Sequence, residues 1–150
     1  MKQSIAELEG IINTYAPLLY KVSEPDFLLK SAPEKWSKKE ILGHLVDSIQ
    51  NNIRRFIVAQ YEELPHIVYA QNFWVTAADY QQYDTNDLVA LWALLNKHAC
   101  VILKNIPAGV EKKECFTGTL HTIEWLAEDY NKHLLHHLHQ VLNMEPVPYP

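Results

Sequence analysis

The sequence is poor in glycine and cysteine, has no excess of positive charge and contains no long apolar run. Each shortage excludes something. Four glycines among 150 residues, with prolines falling mostly between the periodic segments, suit an all-helical domain. The two cysteines, Cys100 and Cys115, form no C-x-x-C pair and no disulfide framework. Free thiols in a reducing cytoplasm are therefore expected. A net charge of −5 argues against a nucleic-acid backbone as the main partner, which would want a basic face. The longest apolar run, Leu88 to Leu95, is only eight residues. A membrane-spanning helix needs about 20, so no membrane partner is expected. The opening MKQSIAELEG lacks the charged-then-apolar pattern of an export signal, and a cytoplasmic location is expected.

What is present is a foldable core and an unusual number of histidines. Apolar residues make up 48% of the chain, with 16 aromatic side chains, which excludes disorder. A single domain over residues 1–150 is the expectation, with a Pro-rich tail at 145–150 that should be extended. Eight histidines occur, four of them within seven positions: His133, His136, His137 and His139.

Four periodic segments predict four helices. The first runs from about Ser4 to Val22, with Pro17 expected to bend or break it. After a loop at 23–35, the second starts at a Ser37 cap. Glu40 completes a capping box, Trp36 and Ile41 form a hydrophobic staple, and the helix continues to about Tyr61. A long connection, Leu64 to Asp84, separates it from the third segment, which ends near Ile106. Residues 107–121 read as a loop. The fourth segment starts at a Thr122 cap and runs to about Leu142. A 21-residue middle connection suits a four-helix bundle with a crossover, the second and third helices running parallel. Trp74, Tyr80 and Tyr83 in that connection either cover a pocket or pin the connection to the bundle.

The histidines concentrate the chemistry. Ile123, Leu126, Tyr130, His133, His137 and Val141 form one stripe of the fourth segment, so two histidines four apart share a face. Such a pair can grip one metal ion. A third ligand must come from elsewhere, and His44 lies on a polar stripe of the second segment where a core face should be apolar. Three imidazoles with solvent on the open side make a catalytic rather than a structural pattern, and zinc or nickel suits the donors. The alternative is that these are hydrogen-bonded core histidines. His136 and His139 fall on another face and are expected to be solvated. Leu134 stands where a zinc protease carries its glutamate base, so a mechanism of that type is not expected. Asp47 and Asp129 either orient a ligand ring or are surface acids. Ser48, Asn52 and Arg55 continue the His44 stripe; they line a polar pocket, with Arg55 fixing a carboxylate or phosphate, or form a solvated strip or dimer contact. His66, His98 and His121 are weak ligand candidates.

The runs KWSKKEILGHLVDSIQNNIRRF, YAQNFWV, LWALLNKH and TIEWLAEDYNKHLLHHLHQVL, in this order, resemble the DinB-like family, also called YfiT-like metal-dependent hydrolases. The resemblance spans about residues 5–142. It implies an all-α bundle in up-down-down-up order. It also implies one divalent metal on three histidines, which fall here on His44, His133 and His137, and a homodimer. Better-understood relatives use a low-molecular-weight thiol such as bacillithiol or mycothiol, as thiol S-transferases or thiol-dependent isomerases. The expectation is therefore a metal-dependent enzyme acting on a small molecule by thiol transfer or hydrolysis. The alternatives are a non-catalytic metal-binding or stress-response protein, and a helical dimer whose histidines are structural.

Overall fold

The computed structural model describes residues 1–149. Its helices are α1 (Lys2–Leu19), α2 (Glu24–Leu28), α3 (Lys38–Tyr61), α4 (Gln71–Ala78), α5 (Thr85–Lys104) and α6 (Ile123–Val141). A short antiparallel pair, β1 (Glu114–Phe116) and β2 (Leu120–Thr122), sits between α5 and α6. The four long helices form the bundle.

Local chemistry sets the helix starts. Ser37 Oγ accepts from the Glu40 amide while the Glu40 carboxylate accepts from the Ser37 amide, the reciprocal capping box. Asp84 caps α5 and Thr122 caps α6 by the side-chain acceptor alone, accepting from the Asp87 and Trp125 amides. The Trp36 ring, just before the cap, packs on His44, with centroids 5.1 Å apart. Pro17 does not break α1; it sits in the last turn, and the helix ends at Leu19 rather than Val22.

Side-chain pairs fix the direction of each helix. The Met1 ammonium meets Glu124 and Tyr15 meets His139, so α1 and α6 run parallel. Glu24 binds both Lys39 at the start of α3 and Thr85 at the start of α5, so those two are parallel as well. Lys104 at the end of α5 reaches Glu9 near the start of α1, which makes α5 antiparallel to α1. The order is up-down-down-up, and the bundle matches the expectation. Its core includes Leu8, Leu45, Ile49, Phe56, Leu88, Trp92, Leu134 and Leu138, all buried.

Parallel neighbours require the chain to climb back the length of α3, about 36 Å at 1.5 Å per residue. The crossover does so with structure of its own, the helix α4 and a short 3₁₀ turn at Tyr80–Gln82. The loop at 107–121 likewise contains the β1–β2 hairpin, a local exception to the all-helical expectation. Two backbone bonds tie the crossover to this hairpin: the Ile67 amide donates to Phe116 O, and the Phe116 amide to Pro65 O, each at 2.9 Å. Crossover and hairpin are thereby joined into a rim beside α3 and α6. Among the described residues no helix is long and apolar enough to cross a membrane.

Candidate metal centre

The periodic stripe placed His133 and His137 in the core. The actual core face of α6 is Ala127, Asn131, Leu134, Leu138 and Val141, with Ile123, Leu126 and Tyr130 beside it. His133 and His137 stand one position off this face and are half-buried, while His44 on α3 is buried. Being at the edge of the core keeps both rings out of the leucine packing, and His133 lines a cavity.

The three rings converge. His44 Nε2 lies 3.1 Å from His133 Nε2, and one ligand nitrogen from each of His44, His133 and His137 lies within 4.8 Å of the others. Zinc–imidazole bonds of about 2.0–2.1 Å put tetrahedral nitrogens about 3.3 Å apart, so this spacing fits one divalent ion after small ring movements. Burial holds His44 down to about 4, with the neighbouring His137 adding to the effect. Burial, then His137, His44 and His136, pushes His133 far below the usual histidine range, and burial lowers His137 as well. All three rings are thus neutral at pH 7, the form that donates a lone pair. His44 Nδ1 is buried without a hydrogen-bond partner. The donor set and its protonation fit a late divalent metal.

The supporting contacts differ from those expected. Ser48 Oγ lies 3.5 Å from His133 Nδ1, the position considered for Asp129. Asp129 instead accepts from Tyr149 at 2.8 Å. Asp47 does not reach a histidine; it accepts from Tyr80 at 2.6 Å, and its other oxygen has no partner. Neither acid is a surface residue engaged only with solvent. Gln140 Oε1 stands 2.8 Å from His137 Nδ1, a contact with no sequence signal beyond i, i+3 spacing.

A cavity of about 350 Å³ opens on the cluster and is lined by His44, Ser48, Asn52, Arg55, Asp129 and His133, so the polar stripe of α3 faces a pocket. Arg55 Nε and Nη2 donate to Ile67 O at 3.2 and 2.9 Å, and Nη1 donates to Asn52 Oδ1 at 3.3 Å. Sequence reasoning missed the far wall: Tyr69, Gln71, Thr117, Thr119, Trp125 and Tyr149. His121, considered only as a weak ligand, stacks on Trp125 at 3.5 Å with the planes 8° apart. Trp74, Tyr80 and Tyr83 do not line this cavity. Trp74 packs on Tyr69, and Tyr80 is buried against Gly43 with Tyr83 beside it. His98 is exposed and outside the cluster.

The tail forms no helix and folds back along α6. His136 Nδ1 and His139 Nδ1 each lie 2.6 Å from a tail carbonyl, Val147 O and Glu145 O. The two histidines expected to be solvated therefore strap the tail down, and Tyr149 reaches the cavity with its ring 5.3 Å from His133.

No family model matches the sequence, and no curated protein matches it. Solved structures do. One is YfiT from Bacillus subtilis, described as a probable metal-dependent hydrolase with an unusual four-helix bundle topology. It is 20% identical, with a TM-score of 0.85 over 95% of this chain and 83% of that one. This is the DinB-like fold. A mycothiol-dependent maleylpyruvate isomerase matches at 15% identity and a TM-score of 0.76, and a histidine-to-alanine variant of it at 13% and 0.79. This chain spans 64% of the length of each isomerase chain.

Proposed function

We propose that the protein is a metal-dependent enzyme in which His44, His133 and His137 hold one divalent ion, zinc or nickel, beside a cavity that admits a small-molecule substrate. The observation that carries this reading is the convergence of three neutral imidazoles, two of which, His44 and His133, line that cavity. YfiT is described as a probable metal-dependent hydrolase and the isomerase as mycothiol-dependent, which supports thiol transfer or hydrolysis as the reaction class. A divalent ion in such a site lowers the pKa of a bound thiol or water and so supplies a nucleophile at neutral pH.

The chain's own residues do the rest. Ser48 fixes the His133 ring from its Nδ1 side, and Gln140 does the same for His137. Asn52 and Arg55 present polar groups along the α3 wall, and Trp125 and Tyr69 supply flat faces for an organic substrate. Among the described residues the cluster has three protein ligands, which leaves the open side that catalysis needs and a closed structural site lacks. A homodimer and a cytoplasmic location belong to the same proposal; sedimentation of the purified protein tests the first.

Metal analysis tests the centre. Purified protein should hold about one divalent ion per chain, and His133→Ala should lose it. Stoichiometric metal in His133→Ala overturns the ligand assignment. The thiol version has its own test: 2-mercaptoethanol added to cobalt-substituted protein should perturb the metal's visible spectrum. An unchanged spectrum at millimolar thiol leaves hydrolysis as the reaction.

A further inference from the structure

Arg55 and Asp129 line one cavity without forming an ion pair. Among the described residues no carboxylate lies within 4.0 Å of the guanidinium, and no cation lies that close to Asp129. Arg55 is half-buried, and its three hydrogen bonds go to a carbonyl and an amide, both neutral. Two of its five N–H donors remain unengaged. Asp129 uses Oδ2 to accept from Tyr149, which leaves Oδ1 as an acceptor. Tyr149 is itself held in place by the two histidine–carbonyl contacts of the tail. A half-buried guanidinium and a braced carboxylate on one cavity form a dipolar receptor. A ligand carrying one charge of each sign would satisfy both.

Resting on the metal-centre reading above, we infer that the substrate is a small amino-acid-type molecule, its carboxylate bound by Arg55 and its ammonium by Asp129. A guanidinium takes a carboxylate through paired N–H donors, and an ammonium group has three N–H donors suited to a carboxylate oxygen. Tyr149 is a positioning residue in this arrangement. By holding Oδ2 it fixes the plane of the Asp129 carboxylate.

The test uses metal-loaded protein and three thioether probes that share a chain but differ in charge. S-methyl-L-cysteine carries both charges, 3-(methylthio)propionate only the carboxylate, and 2-(methylthio)ethylamine only the ammonium. Calorimetry should show the first binding about tenfold tighter than either of the others, the difference one charge-assisted contact makes. Arg55→Met should abolish its advantage over the amine, and Asp129→Asn its advantage over the carboxylate. Tyr149→Phe should weaken only the two ammonium-bearing probes. Equal affinity for all three probes, no saturable binding of S-methyl-L-cysteine at millimolar concentration, or variants that weaken every probe alike would each overturn the inference. Metal analysis of the same samples separates the two readings. Charge-selective binding by protein that holds no metal would sink the proposed function and leave the dipolar receptor standing.

Discussion

Gly43→Ala should destabilise this protein, although the same change inside a helix ordinarily stabilises it. Gly43 lies in α3, next to His44, and alanine there would normally gain about 0.5–1 kcal/mol by reducing backbone entropy. Here the added Cβ would stand 2.1–2.5 Å from three carbons of the Tyr80 ring. Carbon atoms settle at about 3.5–4.0 Å, so the ring must retreat by more than 1 Å. It has nowhere to go: Tyr80 is 4% exposed, and its hydroxyl donates to the buried Asp47. Overpacking costs about 1–3 kcal/mol, and leaving Asp47 without its one partner costs about 1–3 more. Set against the helix gain, the net loss is about 1–5 kcal/mol, a fall in Tm of roughly 2–20 °C for a domain of this size. A double-mutant cycle followed by thermal melts isolates the cause. In a Tyr80→Ala background the obstacle is gone, and Gly43→Ala should turn neutral or stabilising by up to about 1 kcal/mol. An equal cost in both backgrounds, or a stabilised Gly43→Ala in the parent, would refute the reasoning.

Two further changes probe the supporting structure. Burial lifts the Asp47 carboxyl to about 6, against a partly opposing hydrogen bond from Tyr80. The folded state therefore keeps this proton to higher pH than the unfolded chain does, and Asp47's contribution to stability falls as pH rises from about 4 to 6. Glu24 works the other way: held low chiefly by its bonds to Lys39 and Thr85, it loses stabilisation as pH falls. Asp47→Asn removes the first effect and leaves the second, so urea melts should show the variant gaining on the parent by up to about 3 kcal/mol between pH 4 and 7. A difference that stays constant across that window would show that Asp47 does not titrate there. Deleting residues 143–150 strips Tyr149 from beside His133 and should speed metal loss to a chelator about tenfold, the usual scale for groups that brace a ligand. An unchanged release rate would mean the strap does not shield the centre.

The scaffold was legible because its signals are local. Ser37 and Glu40, three apart, announce the start of α3, and the capping box is there. The crossover followed from the length of the 64–84 connection. His44 stood out because a polar residue on a buried stripe needs a reason. The same periodicity misjudged the neighbours of the centre. On α6, Tyr130 and Leu126 border both the core face and the cavity, so a stripe drawn through them leads as easily to His133 as to Leu134. Spacing along one helix predicts which residues share a face, but it is blind to a partner arriving from another segment. Asp47 and Asp129 were paired with histidines of their own helices, while their actual partners, Tyr80 and Tyr149, come 33 and 20 residues later.

The strap shows what spacing along α6 leaves out. His136 and His139 fall on the face shared with Asp129 and Lys132, which spacing assigns to solvent, and three prolines give the tail no helix to form. His136 has one neighbour on α6, Gln140 Nε2 at 3.0 Å, and both histidines meet the tail. The bonds between them end on the carbonyls of Glu145 and Val147, groups that every residue carries and that leave no trace in a sequence. Tyr149 adds side-chain contacts of its own, since its phenol both packs on the His133 ring and donates to Asp129. The histidine-rich end of α6 therefore does two jobs on two faces. His133 and His137 meet His44, while His136 and His139 hold a peptide that completes the wall around them.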